Sequence, residues 1–421
     1  MEDGMLKSIV RVAIVLAWFV VFADHVVAQA DMTRPVVFSV DLAAEYTDNR
    51  DSTSDDIKDD NTDLWIKPRV DMFFKGAGDS EFIFSYGPRY RYRSNPGDLQ
   101  NDTDWQHELT LDANYSPTRD VGLRLTEAFY MTDDPSVQQF GTTLRRDSSF
   151  IYNSLALYAN RAVSRRVSLG VNGSHRIKRY DDSDRAKDAD EDGMGAGASC
   201  WYALSPLAGM VVAGGYNAYD YESSLNLERG VETMYGAVGL DYQLAKEIRV
   251  NTRLGFVTAS FEDGSLGSMD APYVDCTALY SPQPDTRFSA GITHSIRNAD
   301  VYPFAAQTET ALNLSMDWLA TPRVLLLGGV QYRVGNYDTD AIPSAFLDVM
   351  SMDELRALGI TGTELDETRM VFNAGVSYKL GDFTTIRLVQ THEQVESDVN
   401  VEFVSTDSTR NATTLTLNQA F

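Results

Sequence analysis

Cysteine is nearly absent from this 421-residue chain, which carries only Cys200 and Cys276. A secreted domain held together by disulfides is therefore disfavoured. Both cysteines fall at strand positions that share a face with Tyr202 and Tyr280, and they read as small lipid-facing hydrophobes. Long apolar runs are missing too. No internal stretch approaches the roughly 20 residues of a helical span, which excludes a helical membrane topology. Positive charge is scarce: 36 Lys and Arg stand against 61 Asp and Glu, a formal net charge of −25. Such a balance repels nucleic acid and anionic lipid. The acid is uneven, however. Asp48, Asp51, Asp55, Asp56, Asp59 and Asp60 crowd one segment, and Asp181, Asp182, Asp184, Asp188, Asp190, Glu191 and Asp192 crowd another. These read as loops between far less acidic strands.

What the chain does have begins at its ends. Lys7 and Arg11 precede an apolar run over residues 12–23, and Ala28-Gln29-Ala30 follows as a small-x-small cleavage site. Residues 1–30 are predicted to be a signal peptide, with the mature chain, 31–421, starting at Asp31. At the other end Thr413, Leu415, Leu417, Gln419 and Phe421 alternate with Thr414, Thr416, Asn418 and Ala420, as in a β-strand. Leu415, Leu417 and the terminal Phe421 resemble the signal read by the outer-membrane barrel assembly machinery, although Gln419 departs from its usual aromatic or aliphatic residue.

Aromatics are plentiful, with 21 Tyr and 19 Phe, and they recur. Tyr115, Tyr158, Tyr202, Tyr242, Tyr280, Trp318 and Tyr378 each stand just before a short turn. Subtraction puts successive anchors 43, 44, 40, 38, 38 and 60 residues apart. Two tilted membrane strands of roughly 9 to 11 residues, one turn and one loop fill such a period. A propeller blade of similar length requires four strands, and only two fit. Tyr and Trp at turn-proximal positions suit an interfacial girdle.

Between the anchors, apolar and polar residues alternate. Phe82, Phe84, Tyr86, Tyr90 and Tyr92 oppose Ser85, Gly87, Arg89, Arg91 and Arg93, and Leu312, Leu314, Met316 and Trp318 oppose Ala311, Asn313, Ser315 and Asp317. Apolar-out and polar-in with period two is the signature of a transmembrane β-barrel. The expected fold is an all-β, antiparallel, up-and-down barrel of about 18 strands. Sixteen is the alternative, because the segments near 200 and 388 are poorly patterned. An even count places both termini in the periplasm. The loop at 338–366 is expected to cap the rim or fold into the lumen.

Glu45-Tyr46-Thr47-Asp48-Asn49-Arg50, an acidic loop, and then Asp63-Leu64-Trp65-Ile66-Lys67-Pro68 resemble the opening of the Putative beta-barrel porin 2 family. The resemblance implies an outer-membrane porin or export conduit of the kind associated with exopolysaccharide secretion. It implies partnership with periplasmic export components and carries over no catalytic residue.

In a barrel of this size the interior holds water, so inward residues decide function. Parity places Arg89, Arg91, Arg93, Arg124, Arg176, Lys178, Arg249, Arg253, Arg297 and Arg333 in the lumen, with Glu108, Asp112, Asp241, Asp275, Glu309 and Asp317 on adjacent strands. They read either as a basic track for anionic solutes or, slightly favoured overall, as cross-strand ion pairs bracing the wall. Arg89, Arg91 and Arg93 outnumber the nearby acids and are the expected solute-facing patch. Asp188, Asp190 and Asp192, followed by Gly193, resemble the start of a calcium loop. Ser199 stands where its bidentate Glu should fall, so the expectation is a solvated acidic loop and no metal. No cofactor is expected, nor an enzyme: His107, His175 and His294 fall on the outward face near strand ends. The remaining partners expected are outer-membrane lipid and lipopolysaccharide, and the alternative function is a non-conducting surface or structural barrel.

Overall fold

The structure, a computed structural model, describes residues 35–50, 58–76, 79–96, 101–133, 149–183, 186, 190–221, 230–264, 266–299, 304–338, 364–397, 400–401, 404–405 and 407–421. The expected signal segment, most of the loop at 338–366, and Asp188 lie outside these residues. The strands are β1 (Val36–Thr47), β2 (Asn61–Lys75), β3 (Glu81–Arg93), β4 (Thr103–Thr118), β5 (Val121–Thr132), β6 (Phe150–Ala162) and β7 (Val167–Tyr180). They continue as β8 (Glu191–Ser205), β9 (Ala208–Tyr221), β10 (Val231–Ala245), β11 (Ile248–Phe261), β12 (Met269–Gln283), β13 (Thr286–Asn298) and β14 (Ala306–Thr321). Last come β15 (Val324–Asp338), β16 (Glu364–Lys379), β17 (Thr384–Ser397), a small ribbon of β18 (Asn400–Val401) and β19 (Val404–Ser405), and β20 (Ser408–Ala420).

Eighteen of these form one antiparallel sheet in which each strand pairs with its sequence neighbours, and β20 pairs with both β17 and β1. The sheet is therefore a closed barrel, and closure removes the unpaired edges that no bilayer could hydrate. The expected count of 18 is met, and the poorly patterned segments near 200 and 388 lie in β8 and β17.

Period-two alternation sets the two faces. Phe38, Leu42, Tyr90, Trp105, Val238, Leu254, Phe256 and Leu417 are exposed on the outside. Cys200 and Cys276 are free, and their pairing with Leu169, Val212, Thr252 and Ile292 places them on the same outer face. Tyr115, Tyr202, Tyr242, Tyr280, Trp318 and Tyr378 ring the outside at the short-turn end. Tyr158 does not join them. Its cross-strand partner is the lumenal Arg124, so it points inward, and the exposed Leu157 takes the outer position.

The barrel has two unlike ends. The short turns, the start of β1 and the end of β20 share one; the longer loops share the other. One seam between strands is incomplete. β12 pairs with β11 along Met269–Tyr280, yet pairs with β13 only from Val274 to the turn. Beyond that point β13 parts from β12 but stays paired with β14, which itself stays paired with β15 through Thr308, and Ile296 and Ala306 pack with the inward Val231, Val257, Ala259 and Ala271.

Candidate functional site: the barrel lumen

The inner wall is charged and tightly paired at the loop end. Asp133, just after β5, accepts both guanidinium nitrogens of Arg91 at 3.0 and 2.6 Å, Arg93 at 2.8 Å, and the Gln106 amide at 2.9 Å. Arg91 also faces Asp63 at 3.2 Å, and Arg93 pairs with Asp104 at 2.8 Å. Lys67 bonds Glu108 on β4. Bidentate Arg–carboxylate geometry of this kind is strong when desolvated, and Arg93 is only 2% exposed.

Similar pairs continue around the wall. Arg333 faces Glu309, Arg369 bonds Glu393 at 2.8 Å, Arg410 bonds Glu45 at 3.1 Å, and Arg176 faces Glu191 at 3.0 Å as an ion pair. In register Arg369 lies opposite Arg333, Glu393 opposite Arg410, and Glu45 opposite Asp63. From β14 through closure to β4, acids and arginines thus form a belt. Apart from Asp133, which follows β5, each charge is carried by the inward face of its strand, and its partner comes from the next strand or the one beyond. Aromatic rings seat other cations: Arg176 lies 4.9 Å from the Tyr219 ring centre, and Lys178 lies 4.6 Å from that of Tyr180.

Of the arginines expected to face solute, Arg91 and Arg93 are thus sequestered, and their acids are not outnumbered. Asp63, Asp104 and Asp133 answer them. Sequence reading missed this because Asp133 lies beyond the end of β5 and reaches the patch on β3 only across β4, through the register of the three neighbouring strands. Arg89 differs: it stacks 4.8 Å over the Trp65 ring and donates to Gln106 at 3.3 Å, with no ion pair among the described residues. Arg333 is buried in the belt, whereas Arg124 pairs with Asp112 at 2.6 Å and Arg253 with Asp241 at 2.7 Å in the turn-end half. Arg249 is exposed there, within 3.4 Å of Gln243.

Burial changes along the axis. Inward residues of the loop-end half, such as Gln307, Glu309, Ala311, Glu367 and Arg410, are almost fully covered. Inward residues of the turn-end half, such as Asn313, Ser315, Asp317, Arg249 and Arg387, are exposed. Among the described residues, the lumen is a solvent-accessible vestibule at the turn end and is packed and ion-paired at the loop end.

The outer histidines are occupied with local polar work. His107 contacts Tyr86 at 3.0 Å, His294 contacts Thr310 at 2.8 Å, and His392 contacts Asn411 at 2.8 Å. Asp190 accepts the Tyr180 N–H at 2.8 Å, and Asp192 bonds Arg179. These two acids spend their oxygens on protein donors, and no group of three metal-binding side chains converges among the described residues.

Comparison with solved structures finds similar barrels at low identity. OpdK from Pseudomonas aeruginosa is 13% identical, with a TM-score of 0.44 over 92% of this chain and 99% of that one. OccAB4 from Acinetobacter baumannii is 11% identical, also with a TM-score of 0.44 over 92% and 99%. A BenF-like porin from Pseudomonas fluorescens Pf-5 is 11% identical, with a TM-score of 0.47 over 92% and 99%. No curated protein matches the chain. The family model described as Putative beta-barrel porin 2 matches residues 185–420, which lies beyond the opening strands whose motif resembled that family. This outer-membrane β-barrel belongs to the Putative beta-barrel porin 2 family.

Proposed function

We propose that the protein is a channel that passes polar and anionic solutes across the outer membrane, with the turn end and both chain ends in the periplasm. The observation that carries this reading is the water-accessible, polar vestibule lined by Asn313, Ser315, Asp317, Arg249 and Arg387. A barrel that served only as a wall would fill its interior with side chains along its whole height, as small barrels do. Arg89, stacked on Trp65 with no ion pair among the described residues, is the proposed solute contact at the border of the constriction. In planar bilayers the purified protein should give stepwise conductance, and Arg89→Ala with Arg249→Ala should shift ion selectivity toward cations. Absence of any conductance across voltages would leave the non-conducting surface barrel instead.

A second reading, passage of a saccharide chain for exopolysaccharide export, is favoured by the inward aromatics. Tyr158, Trp201 and Trp65 face the lumen, where a simple water pore needs no rings, and aromatic faces offer an apolar surface with a polar tip. Oligosaccharides that interrupt the ionic current at millimolar concentration would support it. Outside, the apolar face is proposed to meet lipid and lipopolysaccharide, and the outward Leu415, Leu417 and Phe421 to meet the barrel assembly machinery. No step of this reading requires a catalytic group.

A further inference from the structure

Aromatic side chains at the turn end belong on the outer face, where the bilayer interface favours them, and Tyr202 obeys this. Its neighbour Trp201 does not. Trp201 pairs with Ser168 and Val211 on the lumenal face of the wall, where no lipid meets it. Gly209 on β9 explains how the ring is held. Cε2, Nε1 and Cζ2 of the indole stand where a Gly209 side chain would begin, so the ring lies flat against the wall. Only a residue without a Cβ permits so close an approach. Gly209 is buried beneath the ring, whereas Trp201 stays partly exposed, with its second face turned to the vestibule. Among the described residues the indole has no stacking, cation or hydrogen-bond partner.

A second ring stands at the same level. Tyr158 on β6 and Trp201 on β8 each lie four residues short of their strand ends at Ala162 and Ser205, and Tyr158 is 49% exposed. Strand spacing and rise put their α-carbons about 16 Å apart. The wall between them is low, because Gly170 on β7 lies opposite Ser199 on β8. Asn172 and Ser199 are exposed there, and their side chains bond nothing in the protein among the described residues. This sector is also uncharged. Inward positions from Ser168 to Ser174, Gly195 to Trp201 and Gly209 to Asn217 carry only Ser, Gly, Asn, Trp, Val and Ala. On the flanking β5 and β11, Arg124 and Arg253 sit in ion pairs.

Flat apolar faces flanked by neutral amide and hydroxyl groups match one class of solute. A pyranose ring carries C–H groups on its face, which pack on an aromatic ring, and hydroxyls at its rim, which exchange hydrogen bonds with Asn and Ser. An inorganic anion finds no charge here, and an apolar solute finds no enclosure. We infer that Trp201 and Tyr158 are the two platforms of a binding site for neutral sugar rings. Asn172 and Ser199 meet the hydroxyls between the platforms, and Gly209 sets the Trp201 ring. This site deepens the saccharide reading above and rests on it.

The test uses the full protein, in planar bilayers and by calorimetry in detergent micelles. Maltohexaose and cellohexaose are the probes, both neutral and differing in the geometry of their linkages. At least one should interrupt the ionic current and give saturable binding heat, whereas a polyethylene glycol of similar size, with no ring to stack, should do neither. Trp201→Ala should weaken the binding about two- to tenfold, the range an aromatic contact supports, and Trp201→Phe should recover part of it. Gly209→Ala, whose methyl lifts the indole off the wall, should resemble Trp201→Ala. Folding of each variant is checked by its heat-modifiable gel mobility; if Gly209→Ala does not fold, the two Trp201 variants decide. Binding unchanged in Trp201→Ala, or matched by the polyethylene glycol, overturns the site and leaves the saccharide reading standing. A conducting wild type that neither hexasaccharide blocks or binds overturns the site and the saccharide reading together. Trp201-dependent heat without conductance upholds the site and overturns the channel.

Discussion

Single residues in this barrel are stabilised by what crosses a strand boundary. Asp133 is the clearest case, since it gathers Arg91, Arg93 and Gln106 into one buried cluster. Asp133→Ala should cost about 3 kcal/mol, because two buried guanidiniums lose a shared carboxylate; urea unfolding in detergent micelles measures it, and a loss near zero would refute the cluster's structural role. Asp48 does comparable work at closure, accepting the Asn411 N–H at 2.6 Å and the Asn411 side-chain amide at 2.7 Å. Partial burial pushes its carboxyl up, but the Asn411 donors and Lys58 outweigh that and hold it below the usual carboxylate range. A depressed acid stabilises the fold above its unfolded value, and the contribution is lost as pH falls through the folded value. The β1–β20 seam should therefore weaken in acid below about pH 4, by about 1 kcal/mol once solvent screening is allowed for. Asp48→Asn should show a flatter pH dependence of unfolding between pH 3 and 6.

Strands read well from their outer face and poorly from their inner one. The lipid face demands apolar side chains, so Phe82, Phe84 and Tyr86 or Leu312, Leu314 and Met316 announce their strands. β8 escaped that logic because its inner face carries Gly193, Gly195 and Gly197, and neighbours fill the space: Tyr219, Ser174, Asn217 and Asn172 lie where their Cβ atoms would stand. β17 escaped it because Gln390 and His392 are polar on the outer face, satisfied by Thr413 and Asn411 across the seam. Neither compensation is visible within one strand. Glycine also sets how closely β10 and β11 approach. A Cβ on Gly255 would overlap the Gly236 carbonyl oxygen, which is backbone and cannot swing aside. Gly255→Ala should thus destabilise the barrel by about 1–3 kcal/mol, as overpacking does, whereas Gly236→Ala, with open space around it, should be close to neutral in the same unfolding assay.

At the scale of the whole molecule the two halves of the lumen differ in access to water. Ala311 and Ser315 share the inner face of β14, about 13 Å apart at the rise of an extended strand; the first is 4% exposed and the second opens on the vestibule. With Cys200 and Cys276 replaced by Ala, Ser315→Cys should react with a membrane-impermeant maleimide at least about tenfold faster than Ala311→Cys, since thiol reactivity follows access. Equal rates would mean that the constriction is open.

Local periodicity by itself determined the barrel class, the strand positions and which face meets lipid. A period of two and a girdle of Tyr and Trp are properties of each strand taken alone, and the bilayer imposes them everywhere. Tertiary structure alone decided which lumenal charges neutralise one another, that Tyr158 points inward, and that β13 parts from β12 beyond His294. Those outcomes depend on strand register and on contacts between residues dozens to hundreds of positions apart, such as Arg91 with Asp133 or Arg410 with Glu45. An inward arginine looks the same in sequence whether it awaits a solute or already holds a carboxylate, and only the pairing and register of the strands bring the carboxylate within reach.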